Sequence, residues 1–197
     1  SFLHSPFTGH YFKPQDGVEL LTSLDIYWFY EGVACKSLLD FVRINHKNRS
    51  ISINDLKTTR FETSEFEKSF ITYRYDIQAA YYFKAFKWWI TNIRKDLEDY
   101  EIIGFSFFVE STKNIGSPLI YHVKSSNIFI GEEGGIIMSE GKRLYLKGFR
   151  KLILDLKWHT ENDIWSYTKE QYENKGIINI NNIPEDFQTN YIPLIFN

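Results

Sequence analysis

Alternation of apolar and polar positions with a period of two dominates the first third of the chain. Residues 19–30 and 33–44 are apolar and aromatic runs separated by the turn-like Glu31-Gly32. After the polar turn 45–49, residues 50–57 alternate strictly, which predicts a half-buried strand. Together these make an antiparallel meander of three strands. The pattern then changes. Residues 65–100 contain neither Pro nor Gly, and Ser64-x-x-Glu67 has the form of a capping box, so helix is predicted, divided in two by a bend at Tyr73-Arg74-Tyr75. Gly104 opens a strand over 105–110, and the Gly116-Ser117-Pro118 turn precedes another over 119–123. Residues 131–135 read as loop and 140–158 as helix, with Gly141 and Gly148 as weak points. The remainder, 159–197, is rich in Asn and Pro and carries one short strand signal at 177–180. Strands, then helix, then strands and helix again describe an α/β (α+β) fold, a mixed central sheet flanked by helices.

The chemistry concentrates at Asp40 and at Asp55-Leu56-Lys57. Residues i and i+2 of a strand share a face, so Asp55 and Lys57 stand side by side. If the neighbouring strand pairs across the 45–49 turn, Asp40 reaches the same end of the sheet. Two carboxylates and an ammonium in one pocket are uncomfortable unless a cation joins them, and oxygen-only ligands favour a hard ion, Mg²⁺ or Mn²⁺. Such a site suits phosphodiester cleavage. An Asp-x-Lys tripeptide alone is usually a solvated pair, so a second feature matters: Gln78 and Tyr82, four apart, share one face of the predicted helix.

The order acidic strand, D-x-K strand, helix with Q-x-x-x-Y resembles the RecB-like branch of the PD-(D/E)xK nucleases. Asp55-Leu56-Lys57-Thr58-Thr59 with Tyr75-Asp76-Ile77-Gln78-Ala79-Ala80-Tyr81-Tyr82 is similar to the phage and prophage exonucleases related to exodeoxyribonuclease VIII. Cys35-Lys36-x-x-x-Asp40 and Phe107-Phe108-Val109-Glu110 extend the likeness over roughly residues 30–165. The resemblance implies a restriction-endonuclease-like core. It implies that Asp40 and Asp55 bind metal with the Leu56 carbonyl, that Lys57 is catalytic, and that Gln78 and Tyr82 orient the site and contact DNA. It places Thr58 and Thr59 near a phosphate. It also implies metal-dependent DNA exonuclease activity in recombination, repair or phage DNA processing, a ring-like homo-oligomer, and a single-strand annealing protein as partner in a bacterial or phage-infected cytoplasm. Two departures stand out. The helices expected upstream of the first strand are missing, and the only candidates for a further acid are Glu19 and, less well placed, Asp25. A catalytically silent DNA-binding module and an endonuclease on the same core therefore remain as alternatives.

Composition narrows the field. The chain has 197 residues, which predicts one domain over 1–197. It opens Ser1-Phe2-Leu3 and its single Met is Met138, so part of a longer polypeptide is expected. One cysteine, Cys35, excludes an intrachain disulfide and a four-cysteine iron–sulfur cluster. No leader or membrane anchor is indicated. The five histidines lack metal-ligand spacing, and neither a G-x-S-x-G elbow nor a nucleotide fingerprint occurs. A net charge of −2 puts any grip on DNA down to local clustering rather than to a basic excess. Lys84, Lys87, Arg94 and Lys95 are the candidate phosphate stripe, with a solvated helix face as the plainer reading. Trp88-Trp89 reads as core, with a duplex-splitting wedge as the alternative. The aromatic share of 18% leaves rings to spare for stacking on unpaired bases.

Overall fold

A computed structural model describes residues 2–139 and 141–178. Five strands form one mixed sheet: β1 (Val18–Tyr30), β2 (Val33–Asn45), β3 (Ser50–Thr59), β4 (Glu101–Ser111) and β5 (Leu119–Val123), in the spatial order β1-β2-β3-β4-β5. Every pair is antiparallel except β3 with β4. That parallel pair needs a crossover, supplied by α1 (Phe66–Thr72) and α2 (Tyr75–Asn92). The result is the mixed sheet flanked by helices expected from the sequence.

The alternation of β3 explains its placement. Ile51, Ile53 and Asp55 face α2 and are buried, and Ile51 and Ile53 join the core with Phe105, Phe107 and Val109 of β4. Phe108, on the opposite face, packs under Tyr11 and Phe12 of the N-terminal segment together with Phe41. The centre of β4 is thus covered on both sides. Its burial is continuous from Phe105 to Val109, Ser106 included, because a central strand flanked on both faces has no solvent side.

The two-helix division at Tyr73-Arg74-Tyr75 occurs through Arg74, whose φ of 54° is left-handed. Its guanidinium holds the turn by bonding Asp76 at 2.9 and 3.0 Å and the Lys147 carbonyl at 2.7 Å. The capping box does not form. Ser64 lies in a 3-10 turn and α1 starts at Phe66 without a side-chain cap.

Residues 131–147 depart most from expectation. Gly131 lies in a helix, α3 (Ser125–Glu133), not in a loop, and the predicted helix over 140–158 begins only at α4 (Phe149–Asn162). Between them runs a hairpin, β6 (Gly134–Ser139) and β7 (Lys142–Lys147). The cause is glycine chemistry. A Cβ on Gly131 would fall 2.1 Å from the Asp76 carbonyl oxygen, so its absence permits α3 to press against α2. Gly141 takes a φ of 77° in the hairpin turn.

By packing, the chain divides into two compact units, 1–154 and 155–197. The sheet, its helices and the predicted site all lie in the first. In the second, α5 (Lys169–Glu173) carries a complete capping box between Thr168 and Gln171, and the Trp165 ring stacks on His159. The short strand predicted at 177–180 lies partly outside the described residues, and Ile177 and Ile178 are not in a strand. Among the described residues no helix is long and apolar enough to cross a membrane.

Candidate active site

The β2–β3 ladder runs from Asn45–Ser50 to Phe41–Asn54 and stops there. One further rung would set Asp40 opposite Asp55. Instead Asp40 Oδ2 accepts the Leu56 N–H at 2.7 Å, so a side chain replaces the missing backbone acceptor. Within a strand residue the N–H and C=O point the same way, so the Leu56 carbonyl is directed towards this gap as well. The opposite side of Asp40 is also irregular. In the β1–β2 register its partner position is Ser23, whose φ is 51°. The core-facing positions of β2 change parity there, from Ser37 and Leu39 to Val42 and Ile44. The carboxylate thus sits at a local break in the sheet, where backbone groups are released from ladder bonding.

Asp55 is almost wholly buried at 2% exposure. Its Oδ1 accepts the Gln78 side-chain amide at 3.0 Å, and the Lys57 ammonium lies 2.5 Å from its Oδ2. That ammonium is the close partner of Oδ2, which no uncharged hydrogen-bond donor meets. Burial pushes the carboxyl up to about 6; Lys57 pulls it down and the charge of Asp40 pushes it further up. Lys57 is cradled by rings, with Nζ 5.0 Å from the Tyr75 centroid and 5.5 Å from that of Phe107.

The structure therefore brings Asp40, Asp55, Leu56, Lys57 and Gln78 together. Tyr82, one turn beyond Gln78, turns its ring to Phe105, with centroids 6.5 Å apart, and joins the core edge. Tyr75 was not singled out for the site by the sequence. Its position three residues before Gln78 on one helix face was the available signal. Burial, with Tyr73 and Asp55 nearby, raises its phenol.

Neither candidate upstream acid joins the group. Glu19 pairs with Ile44, four positions along β2 from Asp40, and is held by Arg94 at 3.0 and 3.1 Å and by His46 at 3.2 Å. Asp25 pairs with Lys36 at 3.2 Å, half exposed. Two of the four residues of the basic stripe are engaged within the molecule: Lys84 binds Glu132 at 2.7 Å and Arg94 binds Glu19 and Asp96. Trp88 and Trp89 pack against the core.

Among the described residues no three His, Cys, Asp or Glu side chains form a cage for an ion. The donor set is two carboxylates and one carbonyl direction, with one buried carboxylate oxygen met by an ammonium alone. That set fits a hard divalent cation that keeps several waters, and does not fit Zn²⁺ in a closed site. Compared with known proteins, the chain matches no family model and no curated protein.

Proposed function

We propose that the chain is a metal-dependent nuclease of the PD-(D/E)xK class. Within that class, the reading supported best is a Mg²⁺- or Mn²⁺-dependent DNA exonuclease resembling the exodeoxyribonuclease VIII-like enzymes of phages and prophages. The observation that carries it is the buried carboxylate of Asp55, whose Oδ2 is met by the Lys57 ammonium alone and which feels the Asp40 charge, at a break in the sheet.

Asp40 and Asp55, with the Leu56 carbonyl, would hold the ion. The chemistry it supplies is Lewis acidity at the phosphate and a more acidic water. Gln78 fixes the Asp55 carboxylate by donating its amide N–H to Oδ1. Lys57, braced by Tyr75 and Phe107, orients the attacking water and neutralises charge developing on the phosphate oxygens. Before an ion enters, the same ammonium neutralises Asp55.

DNA is the substrate on this reading, with a cytoplasmic setting, a ring-like homo-oligomer and a single-strand annealing partner following from the resemblance. The test is digestion of linear and closed circular duplex DNA with Mg²⁺. Loss of the linear form alone is expected; cleavage of both would indicate an endonuclease. The tie of Glu19 to Arg94 favours one second reading, a nuclease-fold DNA-binding module without chemistry. DNA retention without digestion under Mg²⁺ or Mn²⁺ would select it.

A further inference from the structure

The parallel strands β3 and β4 end together just beyond the carboxylate site. Lys57 pairs with Val109 and Thr59 with Ser111, and the Thr112 N–H continues the ladder by donating to the Thr59 carbonyl at 2.8 Å. A cation follows on each segment, Arg60 after Thr59 and Lys113 after Thr112, and both are exposed. The Arg60 guanidinium lies 5.1 Å from the centroid of the exposed Phe61 ring. Among the described residues neither cation has a carboxylate partner. The two acids at this end are turned to other groups: Glu62 accepts the Asn114 side-chain amide at 2.6 Å and Glu110 the Gly116 N–H at 2.9 Å. A groove of about 560 Å³ runs along the same end, lined by Leu56 and Thr58 and by Ser111, Thr112 and Ile115. Leu56 belongs to groove and site alike, since its N–H is the group that Asp40 binds.

We infer that Arg60 and Lys113 hold the DNA backbone about three nucleotides from the scissile phosphate, with the strand lying along this groove. The inference rests on the nuclease reading of the carboxylate site and adds a footprint to it. In open α/β sheets ligands gather at the carboxyl ends of the strands, and Arg or Lys contacts to phosphates fix register without reading sequence. A strand advances about 3.3 Å per residue, so the two cations stand roughly 10 Å beyond the level of Lys57. One DNA strand carries a phosphate for about every 3.4 Å of helix axis, so that gap spans about three nucleotides. Charge selects the same end. The chain has a net charge of −2, and Lys84 and Arg94 of the α2 stripe are already held by carboxylates.

The probe is a set of end-labelled single-stranded oligodeoxynucleotides of two to eight nucleotides, bound in EDTA so that nothing is cut and followed by fluorescence anisotropy. Affinity should step up once the chain exceeds about three nucleotides. The double variant Arg60→Gln with Lys113→Gln should lose that step. Its log–log dependence on salt should be shallower by about 1.4, which makes the wild type lose about seven-fold more affinity than the variant between 50 and 200 mM salt. Both residues are exposed, and an unchanged circular dichroism spectrum checks the fold. The same charge change made at Lys87 and Lys95 should leave step and slope as in the wild type. An unaltered slope in the first variant, or a slope lost through Lys87 and Lys95 instead, would overturn the inference. So would equal displacement of the oligonucleotide by polyglutamate of the same charge, which would mark a surface for acidic proteins. Mg²⁺-dependent digestion on the same preparations separates the two readings. Digestion with an unaltered slope removes the phosphate contacts and leaves the nuclease. The length step and slope change without digestion leave the contacts and remove the nuclease.

Discussion

Two charged clusters lie on the same sheet and behave oppositely. At one, Glu19 is grasped by Arg94 and His46, and Arg94 by Asp96, in a half-exposed network in which the carboxylate has ample donors and its pKa is drawn down. At the other, Asp55 is buried, one of its oxygens is met by the Lys57 ammonium alone, and burial pushes its carboxyl up to about 6. The first is an acid whose needs are met by the fold. The second is an acid whose needs the fold leaves open, and such sites are where a ligand is expected to complete the accounting. Counting carboxylates does not separate the two clusters. Counting satisfied oxygens does.

The comparison can be broken most easily through activity. Lys57→Ala should abolish metal-dependent DNA digestion while circular dichroism stays native; activity within ten-fold of wild type would remove Lys57 from the chemistry. Gln78→Ala should follow with a loss of about 10–100-fold in activity or ion affinity, as for other groups that orient a ligating side chain. An unchanged ion affinity and rate would show that its bond to Asp55 is incidental.

Stability against pH gives the next effect. An acid whose folded pKa is raised holds its proton longer in the native state, so in the metal-free protein the Asp55 contribution is most favourable below the ordinary Asp range and is lost as pH rises from about 4 to 6. The shift corresponds to about 3 kcal/mol. Asp55→Asn should flatten that slope in urea titrations, and an unaltered slope would place its origin elsewhere. For Glu19 the sign reverses: its contribution is present above the ordinary Glu range and is lost as pH falls through the lowered value. Being partly exposed, it is worth at most about 1 kcal/mol. Glu19→Gln should cost no more than that and leave digestion intact. A loss of ion binding in this variant would put Glu19 in the site after all.

Much of this contrast was legible in the sequence, for identifiable reasons. The alternation Ile51, Ile53, Asp55, Lys57 allows one strand face only, and Gln78 lies on the helix that must cross over that face to make β4 parallel to β3. What was not legible depends on backbone states that carry no side-chain signal. Ser23 adopts a left-handed conformation that its residue type does not announce, and with it the core-facing parity of β2 turns over around Asp40. Gly131 reads as a loop residue until α2 is placed against it; it is a contact glycine inside α3. The fate of Glu19 was hidden in the same way, because its partner Arg94 lies 75 residues away and meets it only once the sheet closes.

The central claim is that Asp40 and Asp55 converge on one cation. Calorimetric titration of Mn²⁺ into the wild type and into Asp40→Asn at pH 7.5 tests it most directly. One ion per chain should bind to the wild type, with affinity falling below about pH 6 as Asp55 takes up its proton, and binding should be lost in the variant. Equal binding by the two proteins, or none by the wild type, would contradict the account.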